Sequence, residues 1–275
     1  MKNKIETLVV RDFGNEWTKY NQSELSQNEL NLIFNEYFNI FPWNQLPEFS
    51  NGFDLGCGSG RWAKLVAPRV GKLYCVEPSS AIEIAKVNLK DNSNCIFYNL
   101  GVDYLPFEDN SMDFGYSLGV LHHIPDTLDG IKKCVKKLKS NAPFLIYLYY
   151  AFDNQPIWYR FIWKLSDYLR RLICKLPFQL KLILSQIIAF TVYLPLSKIA
   201  FILEKIGINV KSFPLSIYRN KSFYTMKTDA LDRFGTKLEH RFTKFEIYNM
   251  LTSAGLDNII FSNSTPFWVA VGYKK

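Results

Sequence analysis

The sequence predicts an α/β fold, a parallel sheet covered by helices on both faces and interrupted by a basic helical insertion. Three observations point there. Between residues 50 and 150, short apolar runs alternate with helix-length amphipathic segments, the pattern of a sheet built from strand–helix–strand units. The first run ends in a glycine-rich turn, Gly56-Cys57-Gly58-Ser59-Gly60, that leads into a helix-like segment. After a stretch that reads as helix only, strand and helix signals return at 243–275.

Each element has its own warrant. Leu25, Leu30, Ile33, Phe34, Tyr37 and Phe38 give the N-terminal region a helical spacing, so residues 1–40 read as a helical lid. Phe13, Trp17 and Tyr20 share one helical face there and suit either closure over a ligand or the core. A proline-rich break (41–49) precedes the first strand, which ends at Leu55. The runs 72–78, 95–100, 114–120 and 143–150 read as further strands, with helices at 61–70, 80–90 and 126–139. The segment 243–256 carries Thr243 and Glu246 in capping-box positions and Gly255 as its stop. DNIIFS and PFWVAVGY then read as two closing strands. The core is thus 41–150 plus 241–275, and 151–240 is the insertion, a substrate cap.

Composition restricts the function classes. The apolar fraction of 48% excludes a disordered chain, which lacks the area to offset the entropy of ordering. The net charge is +8. Residues 151–240 hold 14 Lys/Arg against 6 Asp/Glu, so the whole excess lies in the insertion, which suits an anionic partner or a solvated surface. Five scattered cysteines show neither a disulfide framework nor metal-ligand spacing. With no signal-like leader, a cytoplasmic protein is expected. The apolar stretch Leu182 to Leu196 is interrupted by Ser185, Gln186, Thr191 and Pro195 and falls short of the roughly 20 apolar residues of a spanning helix.

The chemistry-bearing signals come in order along the chain. Asp54 precedes the glycine turn, whose backbone can approach a ligand closely at a helix N-terminus. Glu77 ends the second strand and can accept from both hydroxyls of a ribose. Then come LPFEDNSMDF (105–114) and LGVLHHIPD (118–126). The spacing GxGxG, unlike GxGxxG, disfavours a nicotinamide dinucleotide site.

Taken together, DLGCGSGR, VEPS, LPF-x-D-x-S-x-D and LHHI-x-D resemble the class I S-adenosylmethionine-dependent methyltransferases, especially the quinone-biosynthesis-like branch. The resemblance covers about residues 50–150 and, more weakly, 243–275. It implies a Rossmann-like seven-stranded sheet whose last strand, PFWVAVGY, runs antiparallel beside DNIIFS. It also implies S-adenosylmethionine as cofactor. Asp54, Gly56, Cys57, Gly58 and Gly60 would hold the methionine part, Glu77 the ribose, and the Leu118 and Gly119 backbone would line the site. Relatives place an acid for the adenine where this chain has Gly101, so Asp103 or the Val102 backbone is expected to substitute.

His122 and His123 follow the fourth strand, where the methyl group would lie, and are the candidate catalytic bases. Proximity alone lowers the barrier of a methyl transfer, so these histidines also suit packing roles. His240 receives no role. The insertion is expected over the mouth of the site, with Trp158, Tyr159, Phe161, Ile162 and Trp163 among Arg160, Lys164, Arg170 and Arg171. Such a helix at 156–205 suits peripheral contact with an anionic membrane, stacking on nucleic acid, or a lid packed on the core. Tyr218, Arg219, Tyr224, Thr225, Met226, Asp229 and Arg233 form a cluster suited to substrate contact.

The expected function is methyl transfer to an oxygen, less so a nitrogen, of a small or lipid-linked molecule, with no metal. Alternatives are an RNA methyltransferase and a catalytically silent S-adenosylmethionine-binding scaffold. Nucleic acid is disfavoured as partner because SLGVLHH stands where amino-methylating enzymes carry NPPY-like elements. The sequence leaves the oligomeric state open.

Overall fold

The computed structural model describes residues 2–275, with side chains from Glu6 onward. The chain divides into two compact units, Met1–Gln22 with Leu30–Ala151 and Leu238–Lys275, and Ser23–Glu29 with Phe152–Lys237. The N-terminal lid expected at 1–40 is two helices, α1 (Lys2–Lys19) and α2 (Gln27–Phe38), and the link between them groups with the second unit.

In the first unit the strands are β1 (Asn51–Leu55), β2 (Lys72–Val76), β3 (Cys95–Tyr98), β4 (Phe114–Leu118), β5 (Pro143–Tyr147), β6 (Leu256–Phe261) and β7 (Ala270–Lys274). They form one sheet in the order β3-β2-β1-β4-β5-β7-β6, with β7 antiparallel to both of its neighbours. The last strand starts at Ala270 and not at Pro266 as expected. The short helix α3 (Ala63–Val66), α4 (Ala81–Asn88), α5 (Thr127–Lys137) and α10 (Lys244–Ser253) cover the sheet.

Period-2 alternation explains the two faces. Phe53 and Leu55 of β1 join Phe144, Ile146, Ile131 and Leu251 in one core layer. Leu73, Cys75, Phe114, Tyr116 and Leu145 join Phe34, Phe38 and Trp62 in the other. Both faces are buried, so the strands read as near-continuous apolar runs. Asp54 is the charged exception in β1. Thr243 and Glu246 form the capping box that starts α10.

The second unit contains α6 (Ile157–Ile173), α7 (Phe178–Ile188), α8 (Leu194–Lys205) and α9 (Phe223–Gly235), with α6 and α7 both packed on α9. Its core is small: Ile173, Ala189, Tyr193, Tyr218, Met226, Ala230 and Phe234. A π-helical turn at Ala189–Tyr193 joins α7 to α8. The resulting helix, Phe178–Lys205, is long and apolar enough to cross a membrane by length and composition, which corrects the expectation that this stretch falls short. The hydroxyls that seemed to interrupt it bond back to the preceding turn, Ser185 to Leu182 O at 2.9 Å and Thr191 to Ile187 O at 2.8 Å. They therefore expose little unmet polarity.

The cluster expected to contact substrate is internally paired instead. Tyr218 donates to Asp229 at 2.9 Å, Arg219 to Glu204 at 2.8 Å, and Thr225 to Glu29 at 2.7 Å. Arg233 lies against Asp167, 3.7 Å away.

Candidate functional site

In a sheet of this order the strand order reverses between the parallel strands β1 and β4, and the crevice at their carboxyl ends is the usual ligand position. Here the C-terminal ends of β1, β2 and β4 carry Asp54 with the glycine turn, Glu77, and Leu118-Gly119. The turn is held from below, Gly56 N donating to Val76 O at 2.7 Å and Gly60 N to Cys57 O at 2.8 Å. Gly56, Gly58, Gly60 and Gly119 all have positive φ, a region that side chains reach only at a cost. A Cβ on Gly119 would meet nothing within 4 Å, so open space lies beside that backbone.

Glu77 grips the turn. Its carboxylate accepts from Gly58 N at 3.1 Å and Ser79 N at 2.9 Å. Burial raises its pKa above the usual value despite those hydrogen bonds. Each oxygen retains lone-pair capacity for a hydroxyl. Asp54 is almost fully buried, and its Oδ2 has no hydrogen-bond partner. Burial pushes this carboxyl up to about 8, with the Tyr116 hydroxyl pulling it down and the Glu77 charge adding to the rise. An orphaned buried carboxyl oxygen costs free energy that a cationic ligand group offsets. Asp54 therefore fits an amino group, and Glu77 fits a diol. Cys57, also in the turn, has its thiol pushed up to about 11 by burial and stays protonated.

The helix α1 packs on this turn. A Cβ added at Gly14 would lie 2.6 Å from Ser80 Oγ, so glycine permits α1 to approach the start of α4. Trp17 stands over Gly58, whose added Cβ would be 3.1 Å from the indole nitrogen, and Arg61 lies 5.7 Å from the Trp17 ring. Phe13 packs on His123 with ring centroids 4.9 Å apart. Tyr20 is core.

Past β4, the turn Leu121–His123 carries both histidines, their ring centroids 3.9 Å apart. His122 is fully buried, stacks on Tyr149 at 3.8 Å, and neither ring nitrogen has a hydrogen-bond partner. Burial, then the charges of His123, Arg241 and His240, hold its pKa well below the usual value. It stays neutral and weakly basic; access does not separate it from His123, whose Nε2 is also buried, but no hydrogen bond fixes its tautomer as a catalytic base requires. His123 Nδ1 lies 2.7 Å from Leu238 O. A carbonyl only accepts, so Nδ1 carries the proton and Nε2 is the ring's basic nitrogen.

Asp103, the acid expected on the adenine side, is engaged in this structure. Its exposed carboxylate is bound by Lys133, which Asp129 shares. The half-buried Val102 in the turn Val102–Tyr104 keeps its place as the adenine-side candidate. Sequence reasoning missed Tyr149, His240 and Arg241. His240 N donates to His122 O at 3.0 Å, and Arg241 pairs with Glu239 at 2.7 Å and lies 5.0 Å from the Tyr149 ring.

Comparison with known proteins agrees with this geometry. Residues 53–146 match the family model described as "Methyltransferase domain". The chain is 24% identical over 174 residues to a tRNA U34 carboxymethyltransferase of Aliarcobacter butzleri, covering 52% of this chain and 57% of that protein. It is 28% identical over 158 residues to phosphoethanolamine N-methyltransferase 2 of Caenorhabditis elegans, covering 52% and 36%. The chain thus spans about half or less of the length of these relatives. A chain of the complex between the Haloferax volcanii Trm112 methyltransferase activator and a methyltransferase shares the fold, with TM-score 0.52, 13% identity and coverage of 95% and 96%. The matched segment lies within the first unit and holds the cradle at Asp54 and Glu77, so that unit contains a segment similar to a methyltransferase domain.

Proposed function

We propose that this chain moves the methyl group of S-adenosylmethionine to an oxygen of a small or lipid-linked acceptor. The bound cofactor supplies an electrophilic methyl on a sulfonium centre; the chain supplies orientation, dehydration and a proton acceptor. Asp54, ionised against the cofactor's amino group, and Glu77, accepting from the ribose, fix the donor end. The Leu118 and Gly119 backbone lines the crevice, and Val102 borders the adenine side. Phe13 and Trp17 exclude water from it. His123 Nε2 takes the acceptor's hydroxyl proton.

The single observation that carries the oxygen assignment is the Leu238 carbonyl on His123 Nδ1, because it fixes the tautomer that a general base requires. The test is transfer of labelled methyl from S-adenosylmethionine to quinols, lipid-linked sugars and amino alcohols, with wild type and His123→Ala. Transfer to hydroxyls that is lost in the variant supports the reading. Transfer to amines alone, undiminished in the variant, refutes it.

A nucleic-acid acceptor is the second reading, favoured by the similarity to the tRNA-modifying relative and by the basic excess in 151–240. It requires binding to transfer RNA that weakens steeply with salt.

A further inference from the structure

We propose that α6 is a membrane-docking helix that lays its apolar face into the interface of an anionic bilayer, with the second unit resting on the lipid and not spanning it. The helix belongs to the second unit and the cofactor cradle to the first, and the proposal does not depend on which acceptor is used.

The inference rests on an inverted helix. At about 100° per residue, the exposed apolar side chains of α6 fall in one continuous sector roughly 140° wide. In a water-facing protein that sector is buried. Here Ile157 is 78% exposed, Phe161 69%, Leu165 66% and Leu172 50%, with Trp158 and Tyr168 in the same sector. The side turned inward holds a buried ion pair beside Ile173. Asp167 and Arg170 are buried and joined at 2.7 Å, and Arg170 also donates to Thr236 O at 3.0 Å. The next helix repeats the arrangement. Lys181 is buried and donates to Gly235 O at 3.0 Å, while Ile183, Ile187 and Phe190 stand exposed along α7 and its π-turn. Exposed apolar area of this extent on two adjacent helices signals a surface meant to be covered.

Charge selects the cover. Arg160, Lys164 and Arg171 form one edge of the apolar sector, between it and the buried face, where they can reach lipid phosphates while the apolar side chains enter the acyl boundary. The segment 151–240 that carries this helix holds the whole positive excess of the chain. Trp158 and Tyr168 are amphipathic rings of the kind found at headgroup depth. An apolar face bordered by cations and aromatics matches an anionic bilayer surface in both its layers. Spanning is disfavoured although Phe178–Lys205 is long enough. The helix packs on α9, and α9 carries Lys227, Asp229, Asp232 and Arg233, which would have to enter hydrocarbon with it.

The test is co-sedimentation of the full chain with vesicles of phosphatidylcholine alone and of phosphatidylcholine with phosphatidylglycerol. We expect at least tenfold stronger partition onto the anionic vesicles. F161E combined with L165E should abolish it, and R160E with K164E should remove the preference for anionic lipid. Calorimetric binding of S-adenosylhomocysteine should be unchanged in both, which shows that they are folded. Equal partition of wild type and both variants would overturn the proposal, as would failure of wild type to bind either vesicle. Two further results would do the same: bound protein that resists alkaline carbonate, which indicates spanning, and a lipid-free dimer that dissociates in the F161E/L165E variant, which indicates that a second copy covers the face.

Discussion

Glu77→Gln separates the ribose assignment from a merely structural role. In the free protein both carboxylate oxygens already work, one on Gly58 N at 3.1 Å and the other on Ser79 N at 2.9 Å. The amide keeps the volume and one acceptor but turns an NH2 group toward one of those N–H donors. A buried donor left unmet costs about 1–3 kcal/mol, so the ligand-free melting point should fall. The same exchange removes one charged acceptor from the ribose. A hydrogen bond to a charged group contributes about 1.5–3 kcal/mol, so affinity for S-adenosylhomocysteine should drop roughly 10- to 150-fold. Calorimetry with the 2′-deoxy analogue resolves the two effects. If Glu77 holds the diol, wild type loses affinity for the deoxy ligand, and the variant loses little more. Equal penalties for the missing hydroxyl in wild type and variant would refute the ribose contact and leave Glu77 as a loop clamp.

Other outcomes follow from the same geometry. Because the Asp54 carboxyl sits at about 8 in the folded protein, far above an unfolded aspartate, the folded state binds the extra proton between those values. Ligand-free stability should therefore fall as pH rises from about 4 to about 8, and Asp54→Asn should flatten that dependence. Cofactor binding at pH 7 should release a proton, read as a buffer-dependent calorimetric enthalpy; no buffer dependence would count against an ionised Asp54 in the complex. Asp167 is buried beside Arg170, Arg171 and Arg233; although burial alone would raise its pKa, these cations hold it below the usual value. Asp167→Ala removes the carboxylate from the buried Arg170, whose charge the Thr236 carbonyl alone does not neutralise, and should cost about 3–5 kcal/mol in urea unfolding. The native pair should weaken only as pH falls below the usual aspartate range. His123→Ala should lower kcat and leave affinity for S-adenosylhomocysteine unchanged, whereas a matching loss of cofactor affinity would indicate positioning. Gly58 has φ +52 and faces Trp17, so Gly58→Ala should cost about 1–2 kcal/mol of backbone strain and weaken cofactor binding; unchanged binding would show that the turn has slack.

The turn from Asp54 to Gly60 and the acid at Glu77 were legible because each lies at a strand end, where local residue type dictates backbone shape. The two histidines could not be told apart from sequence. They are adjacent, and only the short turn after β4 sends one onto Tyr149 and the other toward Leu238. Tyr149, His240 and Arg241 meet them through closure of the sheet by distant segments, for which no local pattern exists. Asp103 looked free for the cofactor because its partner, Lys133, lies on another element. In the insertion the amphipathic period of α6 was visible, yet its orientation was not. The rule that apolar sides turn inward fails here because Asp167 and Arg170 satisfy each other inside. The continuity of Phe178–Lys205 escaped notice because back-bonding by Ser185 and Thr191 depends on the helix already being formed.

Calorimetric titration of the purified chain with S-adenosylhomocysteine, with NAD as control, is the decisive measurement. Saturable one-to-one binding of S-adenosylhomocysteine and none of NAD is the expected result. Binding of NAD, or of neither ligand, would contradict the assignment of the Asp54–Glu77 cradle to S-adenosylmethionine.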